Sequence, residues 1–234
     1  ESRAQTIRLT IGAVHTVAAL WNKTVKDHFM PLVSDRVAKE TKYKIEWTEA
    51  WGGTICKLGE CLEATESGLI DIANFQTVFD PAKMMAANFS AFAPFSSMDA
   101  RIVGKAAMMV YERSEPLRKL YERYNQIAIA PGVTGNYGLT TTFVWEKFQD
   151  LRGRKIAAAG PNIPWLLGSN AVGVQSNLNE GYTSLQTGVY DSWLIFAEPV
   201  RSFKLFEVTK QFTSVGFGNQ VFAVLTVNKD AWRR

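Results

Sequence analysis

Two periods of apolar residues alternate along the chain. Ile7 to Ala13 alternates and runs into Gly12 to His15, which predicts a first strand whose carboxyl end opens onto a loop. From Ala18 to Thr41 the residues Leu20, Trp21, Val25, Phe29, Leu32, Val33 and Val37 recur at spacings of three and four, the mark of a helix with one buried face. Tyr43 to Trp47 reads as a second strand, Leu58 to Ser67 as a helix closed by Gly68, and Ile70 to Phe75 as a third strand. Such alternation predicts a doubly wound α/β arrangement, in which ligands sit beyond the carboxyl ends of the strands. The loops after Ala13, Trp47 and Phe75 are therefore the first candidates for a site.

Met84 to Met98, rich in Phe, Ala and Met, is expected to pack as core, followed by helices from Asp99 to Tyr111 and from Leu117 to Tyr124. Ile127 to Val133 is the next strand, where the chain is expected to cross into a second lobe, and Tyr137 to Phe143 is a β-rich piece. A turn at Phe148 to Gly153 leads to a strand at Lys155 to Ala159, a Gly160-Pro161 break and a short helix at Pro164 to Leu167. A strand at Ala171 to Gln175 and a helix at Leu178 to Thr187 follow, with Gly188 where a left-handed C-cap is wanted and a strand start at Val189 to Trp193. Phe206 to Val215 and Val221 to Val227 complete the predicted strands, and Asn228 to Arg234 begins a helix.

The wording of this last third carries more than its periodicity. Asp-Leu-Arg-Gly-Arg-Lys-Ile at 150 to 156, with Gly-Tyr-Thr-Ser-Leu-Gln-Thr-Gly-Val-Tyr-Asp at 181 to 191, resembles the signature of the extracytoplasmic solute-binding proteins of TRAP (tripartite ATP-independent periplasmic) transporters, of the dicarboxylate-receptor type. Ile7 to Ala13 and Glu-Ser-Gly-Leu-Ile-Asp-Ile-Ala at 66 to 73 are similar as well. The resemblance implies a two-lobe, periplasmic-binding-protein-like α/β fold with a ligand cleft between the lobes. The lobes are expected at 1–125 plus 215–234 and at 126–214. It further implies an exported monomer in the periplasm that hands a small-molecule solute to the transporter's membrane components by closing on it. The family usually has further C-terminal helices, which are expected to be missing here.

Charge and composition narrow the alternatives. The net charge of +4 would permit a nucleic-acid partner, but the basic residues are interleaved with acidic ones, as from Tyr111 to Arg123, which marks a solvated face rather than a phosphate track. No apolar run reaches the length of a membrane span, and 47% hydrophobic residues are enough for a real core. Cys56 and Cys61 lack zinc or redox spacing. They are either two buried thiols or, in an exported protein, a disulfide. No nucleophile elbow, phosphate-binding Gly loop or His pair is present, so neither an enzyme nor a cofactor is expected. The surviving enzymatic alternative would have to work through His15; His28 reads as a surface residue of its helix.

In typical members of the resembled family one Arg stands in the segment matching Gly135 to Thr141, a second directly after the equivalent of Lys155-Ile156, and an Asn a few residues beyond Asp191. Those positions here are Tyr137, Ala157 and Ile195, so the two-pronged carboxylate clamp is absent. Arg152, Arg154 and Lys155 lie at the entry end of the strand and do not replace it. In its place come rings at loop positions: Trp21, Trp51, Phe75, Phe79, Tyr137, Trp165 and Trp193. Aromatic walls suit a stacked ring or a cation over their faces, such as ethanolamine or a choline-like ammonium. Glu49, Asp80, Asp191 or Glu198 would be the acidic partner, Asn74, Asn162 or Asn219 would bond a hydroxyl, and His15 would add a hydrogen bond. The alternative ligand is an aromatic or hydrophobic carboxylate held on backbone amides after Gly160.

Overall fold

The computed structural model describes residues 5–234 and divides them into two compact units. Ten strands, numbered in chain order, are β1 Gln5–Gly12, β2 Tyr43–Ala50, β3 Ile72–Phe75, β4 Gln126–Val133, β5 Tyr137–Thr141, β6 Lys155–Ala158, β7 Val172–Gln175, β8 Ser192–Phe196, β9 Gln211–Thr213 and β10 Val221–Asn228. They form two five-stranded mixed sheets, ordered β2-β1-β3-β10-β4 and β7-β6-β8-β5-β9. The fold is α/β.

One unit comprises residues up to Phe75, Tyr111–Ala130 and Val224–Arg234. In its sheet β1 runs parallel to β2 and β3, and β10 is antiparallel to β3. Ile11, Met30, Ile72, Leu225 and Val227 form its buried core, with Trp47 and Trp51 packed partly against it. The long helix expected from Ala18 to Thr41 is interrupted. It runs as α1 Leu20–Thr24, a wider-wound turn at Val25–Phe29 and α2 Met30–Glu40, whose apolar face meets the sheet while His28 stays exposed. Cys56 and Cys61, at the start of α3 Cys61–Glu66, are joined in a disulfide.

The other unit comprises Gln76–Val110 and Pro131–Ala223. Residues 76–110, expected with the first lobe, thus pack in the second unit, and the chain changes unit within β4 and β10 rather than near 125 and 215. The unit also carries α4, nearly all of Ala100–Arg113; α5 Glu115–Arg123 belongs to the first unit. In its sheet β6 is parallel to β7 and β8, and β5 pairs antiparallel with β8 and β9. Every residue of the inner strands β5 and β8 is buried, as expected of strands covered on both faces, while Val172 on the edge strand β7 is exposed.

Three local expectations are corrected. Within Met84 to Met98, Met84, Ala87 and Ala91 are buried, but Met85, Phe92, Phe95 and Met98 are exposed. Met85–Phe92 coils as tight 3₁₀ turns, whose three-residue repeat cannot keep a dense apolar run on one face, and Phe95 and Met98 follow in irregular loop. The strand predicted from Val189 begins at Ser192, because Gly188, with φ of 75°, and the next three residues are spent leaving the helix. Phe206 to Val215 is mostly not strand. Helix α7 Ala197–Ser202 and a short turn at Leu205–Glu207 precede the three residues of β9. Elsewhere the order of elements agrees with the apolar pattern, including α6 Leu178–Gln186 and α8 Lys229–Trp232.

Candidate functional site

Each unit gathers part of the candidate set at the carboxyl edge of its parallel strands, where an α/β sheet places ligands. In the first unit, His15 follows β1, Trp51 follows β2 and Asn74 lies near the end of β3. His15 is fully buried and meets the Trp21 ring edge-on, with centroids 5.5 Å apart. Asn22, which sequence reasoning passed over, ties the group together. Its Nδ2 donates to the His15 carbonyl at 2.7 Å, and its Oδ1 accepts from Asn74 Nδ2 at 2.9 Å. Trp51 is half-buried and donates through Nε1 to Glu49, which also holds the Lys26 ammonium. Lys26, and less strongly Trp51, keep the Glu49 carboxyl below its usual range. That carboxylate is already neutralised.

In the second unit a cavity of about 20 Å³ is bounded by the ends of β6, β7 and β8. Ala159 and Ser176 line it just past β6 and β7, and Phe196 closes β8. Phe79, Tyr137 and Phe222 add further aromatic wall, with Trp193 beside them. None of the lining side chains carries a charge. The rings continue outward as a packed row: Phe79 against Phe222, Phe222 against Phe196, Phe196 against Tyr137, Tyr137 against Trp165 and Trp165 against Phe217, with centroid separations from 5.3 to 6.3 Å. Most of these pairs are edge-on or tilted, the arrangement favoured by ring quadrupoles. Trp165 is pinned in the row by its Nε1, which donates to the Ala91 carbonyl at 2.6 Å. Burial alone drives the Tyr137 phenol above its ordinary pKa, so the hydroxyl stays protonated.

The candidate residues thus fall into two groups, described separately. His15, Trp21, Trp51 and Asn74 belong to the first unit, and Phe79, Tyr137, Asn162, Trp165, Trp193 and Asn219 to the second. Of the latter, Phe79, Tyr137, Asn162 and Trp193 reach the cavity wall, whereas Trp165 lies one ring further out. Asn219 is occupied by the Ser97 carbonyl, to which its Nδ2 donates at 2.9 Å. Trp193 was expected on a loop, but it lies inside β8, 3% exposed, with its ring against the backbone of α6 at Gly181. Asp191 holds scaffold, since its Oδ2 accepts from the Lys155 amide at 2.9 Å. Gln220, fully buried beside Asn162, carried no sequence signal at all. Only its bond to Asn162, 58 residues away, brings it to the site.

The positions where the resembled family bears its clamp lie on adjacent strands here. Tyr137 pairs with Phe196, Ile195 with Gly138, and Ala157 with Trp193. All three are buried, and no guanidinium substitutes for them from the neighbouring turn. Arg154 is engaged over the Phe143 ring, 4.0 Å from its centroid.

Solved structures share this architecture across nearly the whole chain. A marine-metagenome TRAP solute-binding protein in complex with pyroglutamate aligns over 98% of this chain and 72% of its own, at TM-score 0.81 and 15% identity. The chain has the fold of TRAP periplasmic solute-binding proteins. A Chromohalobacter salexigens protein of that kind with bound (S)-(+)-2-amino-1-propanol aligns over 97% of this chain and 70% of its own, at TM-score 0.79 and 16% identity. One from Desulfovibrio salexigens with bound orotic acid aligns over 97% and 71%, at TM-score 0.78 and 17% identity. These TRAP neighbours are solute-binding receptors, and their ligands differ widely in charge and shape. No protein-family model and no curated protein matches the sequence. No helix among the described residues is long and apolar enough to cross a membrane.

Proposed function

We propose that this chain is an extracytoplasmic solute receptor of the TRAP type, which binds a small amine and performs no chemistry on it. The observation that carries the ligand class is the charge-free aromatic cavity at the carboxyl edge of the second sheet, with Tyr137 and Ala157 where an arginine clamp would stand. A carboxylate brought to these walls would be buried without a counter-charge, which is strongly unfavourable. An ammonium meets no counter-charge there either, but the ring faces attract it where they repel a carboxylate. That the same fold in Chromohalobacter salexigens holds an amino alcohol supports the reading. The Cys56–Cys61 disulfide fits an oxidising compartment such as the periplasm.

The receptor would act by population shift, its ligand favouring a closed form that membrane components of a TRAP transporter recognise. A thermal-shift comparison of small amines with mono- and dicarboxylates tests the ligand class. At about 100 times its dissociation constant, a ligand adds roughly 2.7 kcal/mol to stability. A melting-temperature rise with amines alone supports the proposal, and a rise with carboxylates alone overturns it in favour of a hydrophobic acid held on backbone amides.

A further inference from the structure

Asn162, at the wall of this cavity, and Gln220, bonded to it, form a buried pair of carboxamides that is only half satisfied. Asn162 Nδ2 donates to Gln220 Oε1 at 2.7 Å. Asn162 Oδ1 and Gln220 Nε2, both on fully buried residues, have no hydrogen-bond partner among the described residues. Turning both amides end for end keeps the bond between them and leaves one carbonyl oxygen and one NH₂ group outside it. A buried acceptor and a buried donor left open together are costly, which marks a place where something else is meant to sit.

Both side chains are held from behind. Asn162 lies in the 3₁₀ segment Gly160–Leu166, stiffened by Pro161 and Pro164, and its amide closes a turn onto the Ala159 carbonyl at 2.9 Å. The backbone of Gln220 is fixed in both directions by Thr134. Its N–H donates to Thr134 Oγ1 at 2.9 Å, and its carbonyl accepts from Thr134 N at 2.9 Å. The other polar side chain on the wall besides Asn162 and Tyr137, Ser176, is already bonded to Glu180 and Tyr190.

We infer that Asn162 and Gln220 are a hydroxyl-binding station, and that the solute is a hydroxylated amine whose hydroxyl enters the second unit. This rests on the receptor reading above and narrows it. A hydroxyl in the cavity can donate to the open carbonyl of Asn162 on its wall, and the same oxygen remains an acceptor for an NH₂ group. Its size suits the space as well, because about 20 Å³ holds one water or the hydroxyl that replaces it. A methyl group would fit the volume but leave both amide atoms unpaired, and so would the methylated nitrogen of a quaternary ammonium.

Ethanolamine and n-propylamine differ by a hydroxyl in place of a methyl, and ethylene glycol carries the hydroxyl without the amine. Titration calorimetry of all three against the wild type and Gln220→Met separates the two readings. The expected result is ethanolamine binding about tenfold or more tighter than propylamine, an advantage lost in the variant. Equal binding of ethanolamine and propylamine overturns the hydroxyl station while leaving the amine receptor standing. Binding of the glycol alone, lost in Gln220→Met, supports the station and overturns the amine. No binding by any probe, with water the sole occupant, overturns the inference. If Gln220→Met does not fold, as its melting curve without ligand reports, Asn162→Ala replaces it with the same expected loss.

Discussion

The ring of Trp193 on β8 lies directly on the backbone of α6 at Gly181, so closely that a Cβ at Gly181 would collide with the ring edge. The helix can approach the sheet at this point only because that position lacks a side chain. Tyr190 braces the same indole edge-on from the turn before β8, with centroids 5.6 Å apart.

Gly181→Ala is therefore expected to destabilise the second unit, although alanine is the better helix former. Overpacking of this kind costs about 1–3 kcal/mol, against a helix-propensity gain of about 1 kcal/mol. Because Trp193 also lines the cavity, its displacement should weaken solute binding. Urea denaturation followed by Trp fluorescence checks this. An unchanged midpoint would mean that the helix can move away from the sheet without loss.

The closeness of Gly181 and Trp193 also explains what could be read from the sequence. The stretches that carried the resemblance meet in space: the Lys155 amide donates to Asp191 Oδ2, and the Asp191 amide donates back to the Lys155 carbonyl. They are distinctive because they lock one strand entry to another, so they report fold and say little about ligand. Strands covered on one or both faces leave a periodic apolar trace, and their order was legible. The strand was read three residues early, from Val189, because the residues after the Gly188 cap look like strand but are still turn, which put Trp193 at its end instead of inside β8. Gln220 was invisible, since a single amide acquires meaning only through a partner distant in sequence. The tight turns of 85–92 were misread as core because composition without a period does not say which side chains face inward.

Removing the disulfide should cost little. Cys56 and Cys61 are only five residues apart, and so short a loop constrains the unfolded chain by about 2 kcal/mol in the loop-entropy picture. Replacing both by Ser, or adding reductant, is expected to lower the melting temperature by several degrees without preventing folding. Circular dichroism melts with and without dithiothreitol check this, and a chain unable to fold when reduced would show that the loop 51–60 depends on the bridge.

Alkaline pH should unfold the first unit through a buried phenol pair. Tyr111 and Tyr121 share a hydrogen bond at 3.1 Å, and burial pushes Tyr111 up to about 12 and Tyr121 upward as well. A raised phenol pKa means that the folded state keeps protons the unfolded state releases. The stabilisation is thus complete below about pH 10 and is lost as the pH rises toward 12. For Tyr111 the loss is on the order of 2 kcal/mol. Phenolate absorbance should rise together with loss of ellipticity. Titration of these phenols at pH 10, with the fold intact, would contradict the burial argument.

Placing an arginine at Tyr137 asks whether the carboxylate clamp was merely deleted or whether the site has been rebuilt around its absence. The Tyr137 ring sits between Trp165 and Phe196, each 5.3 Å away between centroids, and the cavity it faces has no charged lining residue. A guanidinium there would gain about 1–2 kcal/mol from the neighbouring rings, against several kcal/mol for burying an unpaired charge. Tyr137→Arg is therefore expected to lower the melting temperature clearly. Glucuronate should not restore it, because about 20 Å³ leaves no room for a sugar acid beside the new side chain. A variant that melts like the wild type and is stabilised by glucuronate would show that the pocket still accommodates a clamp, and the argument for an amine from the missing arginines would fall with it.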